Sequence, residues 1–392
     1  MTTSGSTEFA KLHTPLYRVI EQDLRSRIQK GKWPAGAMLP SRKSLAKEYG
    51  VDMRTIQRAI SDLLADGTLQ AHGGRGTFVP VQDNGDSDDP TRVAYKTIVI
   101  IAEQSFNPVP SWPAMIHAIH EGLRKHIEDC RIITVNTSDK TPESVVRHEQ
   151  DALKMVESER LAGVVMFHSG GAETLPDIQR LLATEIPVVF IDRMPFEHGC
   201  DFVGIDNRIS SREAIEYLIS IGHQRIAFVA PDEEVTTIHD RLNGYLDAFT
   251  GAGLEPPADL VFRLSPAKSF AKEGLRSEIE RVVTEFTSLP DPPTAVFAVN
   301  DFLAEYLMIV LEEKGIAIPD TISVVGFDDV ERFLPQKPRL TTIRQPFEAI
   351  GERAASMLWW RMSHPESHTG AYQHVMLPTR LIVRETTKAI SK

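Results

Sequence analysis

The sequence is poor in cysteine and lacks both a long apolar run and a basic leader. Its two cysteines, Cys130 and Cys200, lie far apart, which argues against a disulfide framework or a cysteine zinc site and favours a reducing compartment. No apolar run reaches the length of a membrane span. The polar start MTTSGSTEFAKL lacks the features of a secretory signal. We therefore expect a cytoplasmic protein that contacts no membrane.

The net charge of −11 is unevenly distributed along the 392 residues. Residues 1–82 contain 12 Lys and Arg against 7 Asp and Glu, whereas the remainder contains 31 against 47. A length of 392 residues predicts two or three domains. A basic N-terminal module on an acidic body indicates that only the first part of the chain meets a polyanion.

Three helical segments follow one another in the basic region. Pro15–Lys30 places apolar residues at spacings of three and four, which predicts an amphipathic helix. Ser41–Gly50 predicts a shorter helix, with Ser41 as its N-cap and the glycine at its end. Asp52 is the expected N-cap of a third helix that runs to about Ala65. Two short helices joined by a turn, the second with a polar face, form a helix-turn-helix arrangement.

The polar face of the third helix carries side chains that can read DNA bases: Met53, Arg54, Gln57, Arg58 and Ser61. Arginine can donate two hydrogen bonds to guanine, glutamine can pair with adenine, and both can reach phosphates. We therefore expect Arg54, Gln57 and Arg58 to contact DNA.

The segment AHGGRGTFV, Ala71–Val79, has two functional interpretations, a nucleotide-phosphate loop or the tip of a hairpin. The Walker pattern ends in Gly-Lys-Ser/Thr before a helix, and the dinucleotide fingerprint has another glycine spacing; the segment matches neither. DGTLQAH and TFVPV flank the glycines as short strands, which predicts a hairpin. Arg75 would project from its tip toward a minor groove or a phosphate. A surface hairpin with an incidental arginine is the remaining alternative.

The stretch GAMLPSRKSLAKEYGVDMRTIQRAISDLLADGTLQAHGGRGTFV resembles the winged helix-turn-helix of the GntR family of bacterial transcription regulators. The resemblance covers about Pro15–Val79 and includes LPS before helix two, GV before helix three and the glycine-rich wing. The family usually opens helix three with Ser-Arg-Thr-Thr. In this chain Asp52–Thr55 reads Asp-Met-Arg-Thr, so the arginine lies at a position displaced by one. This departure affects which operator sequence the helix would read. The resemblance implies DNA contacts from Arg42, Lys43, Arg54, Thr55, Gln57, Gly74 and Arg75.

Beyond residue 80 the pattern changes twice. Residues 81–95 are acidic and lack periodicity, which predicts a flexible linker that DNA would repel. From Lys96 onward, apolar runs that predict strands (TIVIIAE, RIITV, GVVMF, PVVFID, RIAFVA, AVFAVN and SVVGF) alternate with helical patterns. The predicted helices are about Ala114–Ile127, Glu143–Ser158, Arg208–Ile221, Arg241–Thr250, Phe270–Phe286, Asp301–Glu313 and Phe347–Met362.

This alternation predicts an α/β fold of doubly wound parallel sheets with helices on both faces, and the number of units predicts two lobes. The expected organisation is an α+β DNA-binding domain at 1–80, the linker at 81–95 and a ligand-binding and dimerisation domain at 96–392. Ligands of such folds bind beyond the carboxyl ends of the strands. The residues placed there are Glu103, Phe106, His168, Asp192, Asn300 and Asp328.

Carboxylates, amides and a guanidinium suit a polyhydroxylated ligand, because each sugar hydroxyl both donates and accepts a hydrogen bond. An aromatic side chain such as Trp112 could stack on the C–H face of the sugar. The body in fact resembles the effector domain of the LacI/GalR repressors, itself similar to periplasmic sugar-binding proteins. The resemblance covers roughly Lys96–Thr387 and is carried by IPVVFIDR, VGIDN, LISIGHQRIAFVA, RLNGY, AVFAVND, ISVVGFDD, LTTIRQPFEAIG and LPTRLIVRET.

The LacI/GalR resemblance implies dimerisation and two lobes, about 96–206 with 347–378 and about 207–343 with 379–392, crossed by three strands. It implies that Arg241 of RLNGY donates to ligand hydroxyls. Asn300 and Asp328 should accept from them, with Asp192 at the other lobe. The first loop, AEQSFNPVPSWP, departs from the family's Asn-Pro-Phe pattern, and the candidates with less motif support are Phe106, Trp112 and His168.

Other roles for these residues stay open. Arg241 could pair with a neighbouring carboxylate such as Asp240. Asp328 and Asp329 could cap a strand, hold a metal or act in acid–base chemistry. We expect neither metal nor cofactor. His117 and His120, with Glu121, lie on one helix at spacings that zinc could use, but no third ligand is evident.

The leading hypothesis is a repressor of carbohydrate-utilisation genes that binds a near-palindromic operator as a homodimer and responds to a small sugar. The hybrid layout resembles that of arabinose repressors, which makes arabinose a candidate effector. An enzyme that uses Asp192 and Asp328 as a carboxylate pair is one alternative; it is disfavoured because the sequence shows no nucleophile motif, metal cluster or cofactor fingerprint. A sugar-transport binding protein is the other, and the lack of an export signal disfavours it.

Overall fold

A computed structural model places the chain in two compact units, Met1–Arg92 and Val93–Lys392. The structure describes residues 16–30, 32–33, 37–65, 68–72, 76–79, 96–102, 111–127, 129–137, 141–158, 161–196, 199–233, 235–265, 272–330, 338–365 and 372–390. Within these ranges, no helix is both long enough and apolar enough to cross a bilayer.

The first unit consists of a helical core and a small hairpin. The antiparallel hairpin pairs Gln70 with Phe78, and Met38 forms an isolated bridge to Phe78. Leu24, Leu45 and Ile56 are fully buried where the helices meet. The described elements are α1 (Leu16–Gln29), α2 (Arg42–Tyr49), α3 (Met53–Ala65), β1 (Gln70–His72) and β2 (Gly76–Phe78).

The helix ends of the first unit confirm the predicted caps. The Ser41 hydroxyl accepts a hydrogen bond from the backbone N–H of Ser44 at 3.2 Å. Gly50 ends α2 with φ +65°, in the left-handed region that glycine adopts without steric cost. Asp52 Oδ1 accepts from the Thr55 N–H at 2.8 Å at the start of α3. Helices two and three therefore begin where the capping side chains predict.

The second unit alternates strands and helices, as the sequence predicts. Short 3₁₀ turns lie at Gly171–Thr174 and Ala258–Leu260. The described elements are β3 (Lys96–Ala102), α4 (Ser111–His126), β4 (Cys130–Asn136), α5 (Pro142–Ser158), β5 (Gly163–Met166), α6 (Leu175–Leu182), β6 (Val188–Ile191), β7 (Asp201–Ile205), α7 (Asn207–Ser220), β8 (Ile226–Pro231), α8 (Thr236–Gly251), β9 (Val261–Leu264), α9 (Lys272–Thr287), β10 (Ala295–Ala298), α10 (Asp301–Glu313), β11 (Ser323–Asp328), β12 (Thr341–Arg344), α11 (Phe347–Ser363), β13 (His374–Leu377) and β14 (Arg380–Ile382).

The strands of the second unit form two six-stranded sheets. The first sheet has the order β13-β7-β6-β5-β3-β4 and is parallel throughout, while the second has the order β14-β12-β11-β10-β8-β9. In the second sheet only β14 runs antiparallel, against β12. All residues of β5 and β10 are buried, because helices cover both faces of parallel sheets. The predicted α/β class is confirmed.

The chain passes between the two sheets through α7, through α11 and through the short connection from β13 to β14. Helices α7 and α8 approach each other closely at Gly244. A Cβ atom built on Gly244 would lie 2.1 Å from the carbonyl oxygen of Arg208. Only glycine fits this contact, which brings the third turn of α8 against the first turn of α7.

Helix α8 begins earlier than the sequence predicts, and several short elements were not predicted. Helix α8 begins at Thr236 rather than at Arg241, and its first residues include two β-branched threonines that weaken the helical signal. Helix α6 has eight residues, and the missed strands have three to five. Such short segments carry too few periods to be recognised from pattern alone. The missed strands are β7, β9, β12, β13 and β14.

Candidate functional site

The exposed surface of α2 and α3 carries most of the candidate DNA contacts. Arg42 and Lys43 open α2 with exposed side chains, and Arg54, Gln57 and Arg58 are exposed along α3. The buried residues of α3, such as Ile60, lie against the core of the unit. The amphipathic pattern therefore separates a face that packs from a face that can meet a groove. Gly74 and Arg75 lie outside the described residues.

Two of the candidate DNA contacts also have partners within the unit. The Thr55 hydroxyl donates to Asp52 Oδ1 at 3.1 Å, so a DNA contact by Thr55 would use its methyl group or the second lone pair of its oxygen. The hydrogen bonds that the Thr55 N–H and hydroxyl donate to Asp52 lower the pKa of that carboxyl group. The Arg58 guanidinium lies over the Tyr17 ring, 4.3 Å from its centroid. This contact restrains Arg58 while its side chain stays exposed.

Arg241 is the centre of the polar constellation in the second unit. It lies in the second turn of α8 and is 6% exposed. Its Nε donates to Asn207 Oδ1 at 2.8 Å, one Nη donates to the Val299 carbonyl at 2.5 Å, and the other lies 3.8 Å from Asp328 Oδ1. The guanidinium stacks on the Phe327 ring at 3.7 Å from its centroid. Since a guanidinium has five donor hydrogens, hydrogens on both Nη atoms can still serve a ligand.

Asp328 ends β11 and is held by Gln345, which follows β12. Gln345 Nε2 donates to Asp328 Oδ1 at 2.7 Å, and Gln345 Oε1 is buried without a partner in the described structure. Burial raises the pKa of Asp328 to about 6, although Arg241 and the Gln345 hydrogen bond act in the opposite direction. The carboxylate is thus desolvated but still has acceptor capacity for a bound hydroxyl.

Asp192 comes from the other sheet, directly after β6. Its pKa is raised by burial, against the attraction of Arg241 and Arg193. Charged groups of both sheets therefore act on the Asp192 carboxylate. Asp192 and Asp328 have φ values of +61° and +121°. Non-glycine residues rarely adopt such values, and they concentrate at functional sites, where the surrounding structure holds the strain.

Asn300 follows β10 directly and precedes α10. Its Oδ1 accepts from the backbone N–H of Leu303 at 2.8 Å and caps α10. The sequence predicts that Asn300 accepts a hydrogen bond from a ligand. Because its oxygen is engaged at the cap, the amide nitrogen is better placed to donate to a ligand than the oxygen is to accept from one.

The remaining three candidates are described to different extents. His168 lies after β5 and is 9% exposed, with Nδ1 at 2.9 Å from Glu149 Oε1. Trp112 belongs to the first turn of α4, but its side chain lies outside the described residues. Phe106 lies outside them altogether.

Comparisons with known proteins match both units of the chain. Residues 16–79 match the model of bacterial regulatory proteins of the gntR family, and residues 215–387 match that of periplasmic binding protein-like domains. The arabinose metabolism transcriptional repressor of Geobacillus stearothermophilus is 27% identical over 96% of this chain and 98% of its own length. The repressor of the same name from Halalkalibacterium halodurans is 26% identical over 95% and 96%.

The chain is a transcriptional regulator. It joins a GntR-type helix-turn-helix domain to a periplasmic-binding-protein-like domain. Solved structures agree on the fold: the regulator CelR in complex with cellobiose aligns with a TM-score of 0.62 at 21% identity, covering 89% of this chain and all of that one. A LacI-family regulator from Enterococcus faecium with bound ribose aligns with a TM-score of 0.59 at 24% identity, over 76% of this chain and all of that one.

The structure adds residues to the site that the sequence analysis of the regulator missed. Asn207 and Phe327 orient Arg241, and Gln345 holds Asp328. The clue for Gln345 was its position in the motif LTTIRQPFEAIG. Asn207 likewise ends the motif VGIDN, but an asparagine at the start of a helix usually indicates a cap.

Proposed function

We propose that this regulator represses carbohydrate-utilisation genes and that a small sugar, arabinose or another mono- or oligosaccharide, changes its operator affinity. The sugar binds between the two lobes, about 96–206 with 347–378 and about 207–343 with 379–392. Relatives that cover nearly the whole chain are named arabinose metabolism repressors. Two neighbours of the same fold contain ribose or cellobiose.

The observation that carries this proposal is the buried pair of Arg241 and Asp328, 3.8 Å apart, together with the buried Asp192 of the other sheet, whose charge acts on Arg241. The guanidinium offers donor hydrogens, and the two carboxylates offer acceptor lone pairs. A sugar hydroxyl needs both at once. Since the groups belong to different sheets, a ligand that binds them would tie the two sheets together and favour one relative arrangement.

The proposed DNA site is the exposed face of α2 and α3 together with the wing. The contacts are Arg42, Lys43, Arg54, Thr55, Gln57, Arg58, Gly74 and Arg75. A homodimer formed through the second unit would place two such heads on half-sites of a near-palindrome, roughly one helical turn or a multiple apart. The protein would act in the cytoplasm with no cofactor other than the sugar.

The proposal is tested with the full chain on duplex DNA. An operator is first selected from a random duplex library, and its affinity is then measured by fluorescence anisotropy with L-arabinose, ribose and cellobiose. Coupling of roughly 1–3 kcal/mol predicts a change in operator affinity of about 5- to 150-fold with the effector. Failure of every sugar to change the affinity contradicts a sugar effector, and failure to select any sequence contradicts the operator.

A matched pair of arginine variants tests the site. Arg241→Ala removes the buried guanidinium and is expected to abolish the response to sugar. Arg208→Ala removes an arginine whose side chain is 56% exposed and pairs with Asp247 on the neighbouring helix. The second variant should keep the response, because exposed ion pairs contribute little. Equal responses in both variants would place the sugar elsewhere.

A further inference from the structure

A buried glutamate lies behind His168 in the first sheet. Strands β5 and β6 are in parallel register, with Met166 opposite Phe190. His168 and Asp192 therefore leave the sheet at the same edge, each two residues after a paired strand residue. His168 therefore lies at the same strand ends as Asp192, which is the residue of the first sheet in the proposed sugar site.

Glu149 of α5 is completely buried and accepts hydrogen bonds on both oxygens. Oε1 lies 2.9 Å from His168 Nδ1 and accepts from the Thr174 hydroxyl at 2.6 Å. Oε2 accepts from the Ser169 N–H at 2.6 Å, the Ser169 hydroxyl at 2.9 Å and the Gly170 N–H at 3.0 Å. One carboxylate therefore organises the whole turn that follows β5.

The five contacts define the charge of Glu149. Burial by itself would raise its pKa, but the hydrogen bonds from His168, Thr174 and Ser169 outweigh that effect and lower the pKa. The group is therefore an ionised carboxylate, which can only accept hydrogen bonds. It follows that His168 Nδ1 carries a hydrogen and donates it to Glu149. In the neutral ring, Nε2 then carries a lone pair.

We propose that Glu149 is a positioning residue that fixes His168 with Nε2 as an acceptor, to which the effector donates a hydroxyl hydrogen. The His168 side chain is 10% exposed, and no hydrogen bond to Nε2 is found among the described residues. The second half of this inference rests on the proposed sugar function, since it states that the ligand must donate a hydrogen bond at this position. The first half concerns the protein alone and can be tested without a ligand.

The first experiment measures the tautomer of His168 in the full chain. The protein is labelled with ¹⁵N in its histidine rings. The ring signals of His168 are assigned as those that are absent from the spectra of His168→Gln. Spectra that correlate ring nitrogens with carbon-bound hydrogens should show hydrogen on Nδ1 and a lone pair on Nε2. Hydrogen on Nε2 of the neutral wild-type ring would overturn the proposal.

Two variants separate positioning from structural support. Glu149→Gln offers one acceptor oxygen and a competing amide donor, so the preference for Nδ1–H should weaken. Thr174→Val removes another donor to the same carboxylate and leaves His168 with its partner. It is expected to lower the melting temperature while leaving the tautomer unchanged. A tautomer that stays fixed in Glu149→Gln, or that changes as much in Thr174→Val, would show that Glu149 does not set it.

The second experiment measures affinity by calorimetry for L-arabinose, ribose and cellobiose. His168→Phe removes the acceptor, and loss of one such hydrogen bond predicts roughly tenfold weaker binding. His168→Gln offers an amide oxygen in a similar position and should recover most of the affinity. Equal affinity in wild type and His168→Phe would overturn the ligand contact. If no sugar binds the wild type, the proposed function fails with the ligand contact, while the tautomer measurement still decides the role of Glu149.

Discussion

The DNA-binding unit and the ligand-binding unit present their candidate residues in opposite environments. In the first unit, Arg54 and Gln57 are exposed on one helix face. In the second unit, Arg241 is buried and already bonded to Asn207 and to a backbone carbonyl. A long polyanion is met on an open surface, whereas a small polar molecule is recognised by groups that the fold has desolvated and fixed beforehand. Substitutions of these candidate residues should therefore affect function alone in the first unit, and function together with stability in the second.

The largest expected effect comes from the helix contact that supports the sugar site. Gly244→Ala would place a methyl group 2.1 Å from the Arg208 carbonyl, which forces α7 and α8 apart and moves Arg241 away from Asn207. Urea unfolding should show a loss of about 3 kcal/mol, with a loss of sugar response. Gly251→Ala is the matched control, because a Cβ atom at this end of α8 would contact nothing within 4 Å. Similar losses in both would show that the close approach is not decisive.

A smaller effect is expected from the titration of Asp328. Its folded pKa of about 6 lies above the ordinary value of 3.8, so folding favours the protonated acid. The stability that this provides is complete below pH 3.8 and is lost as the pH rises through about 6. Asp328→Asn, which stays neutral, should therefore gain up to about 3 kcal/mol of unfolding free energy relative to wild type as the pH rises across this window.

Urea unfolding of wild type and Asp328→Asn across this pH range checks the sign of the prediction. Only the difference between the two proteins is informative, since other carboxylates titrate in both. Glu149, for example, has a lowered pKa and loses its contribution as the pH falls. A difference that is constant with pH, or that changes in favour of wild type as the pH rises, would contradict the desolvation of Asp328.

In the first unit, Arg54→Ala should weaken operator binding by about 1.5 kcal/mol, roughly tenfold. Its melting temperature should stay unchanged, because the side chain is exposed. Arg212→Ala removes the same charge from an exposed position on α7, where the arginine pairs with Glu216, and should leave binding intact. Anisotropy with the selected operator measures both. Equal weakening would mean that overall charge, rather than the α3 face, determines affinity.

The smallest expected effect concerns the start of α2. Ser41→Ala removes the cap on the Ser44 N–H and should destabilise the first unit by about 1 kcal/mol. Ser41→Asp retains an acceptor and should restore most of the loss. Calorimetric unfolding of the full chain distinguishes the two variants. If both are as stable as wild type, the cap contributes nothing at this exposed end.

Much of the architecture could be predicted because its signals are local. The caps at Ser41 and Asp52 follow from short polar side chains next to helical periodicity, and α10 has the bounds that its pattern predicts. The start of α8 was missed, because its first turn lacks a side-chain cap. The candidate ligand residues Asp192, Arg241 and Asp328 were selected from strand ends and from motifs. Their mutual contacts, and the partners Asn207 and Gln345, could not be read from any local pattern.

The sequence by itself determined the order of elements, the polar face of α3 and the kinds of side chain available at the strand ends. These features depend on periodicity, capping and composition over a few neighbouring residues. Only the tertiary structure decided which hydrogen-bonding atoms are already occupied. Gln345 holds one oxygen of Asp328, and Glu149 and His168, from α5 and the end of β5, meet in a buried pair. Such assignments depend on distances between segments far apart in the chain, which packing sets and local preference does not.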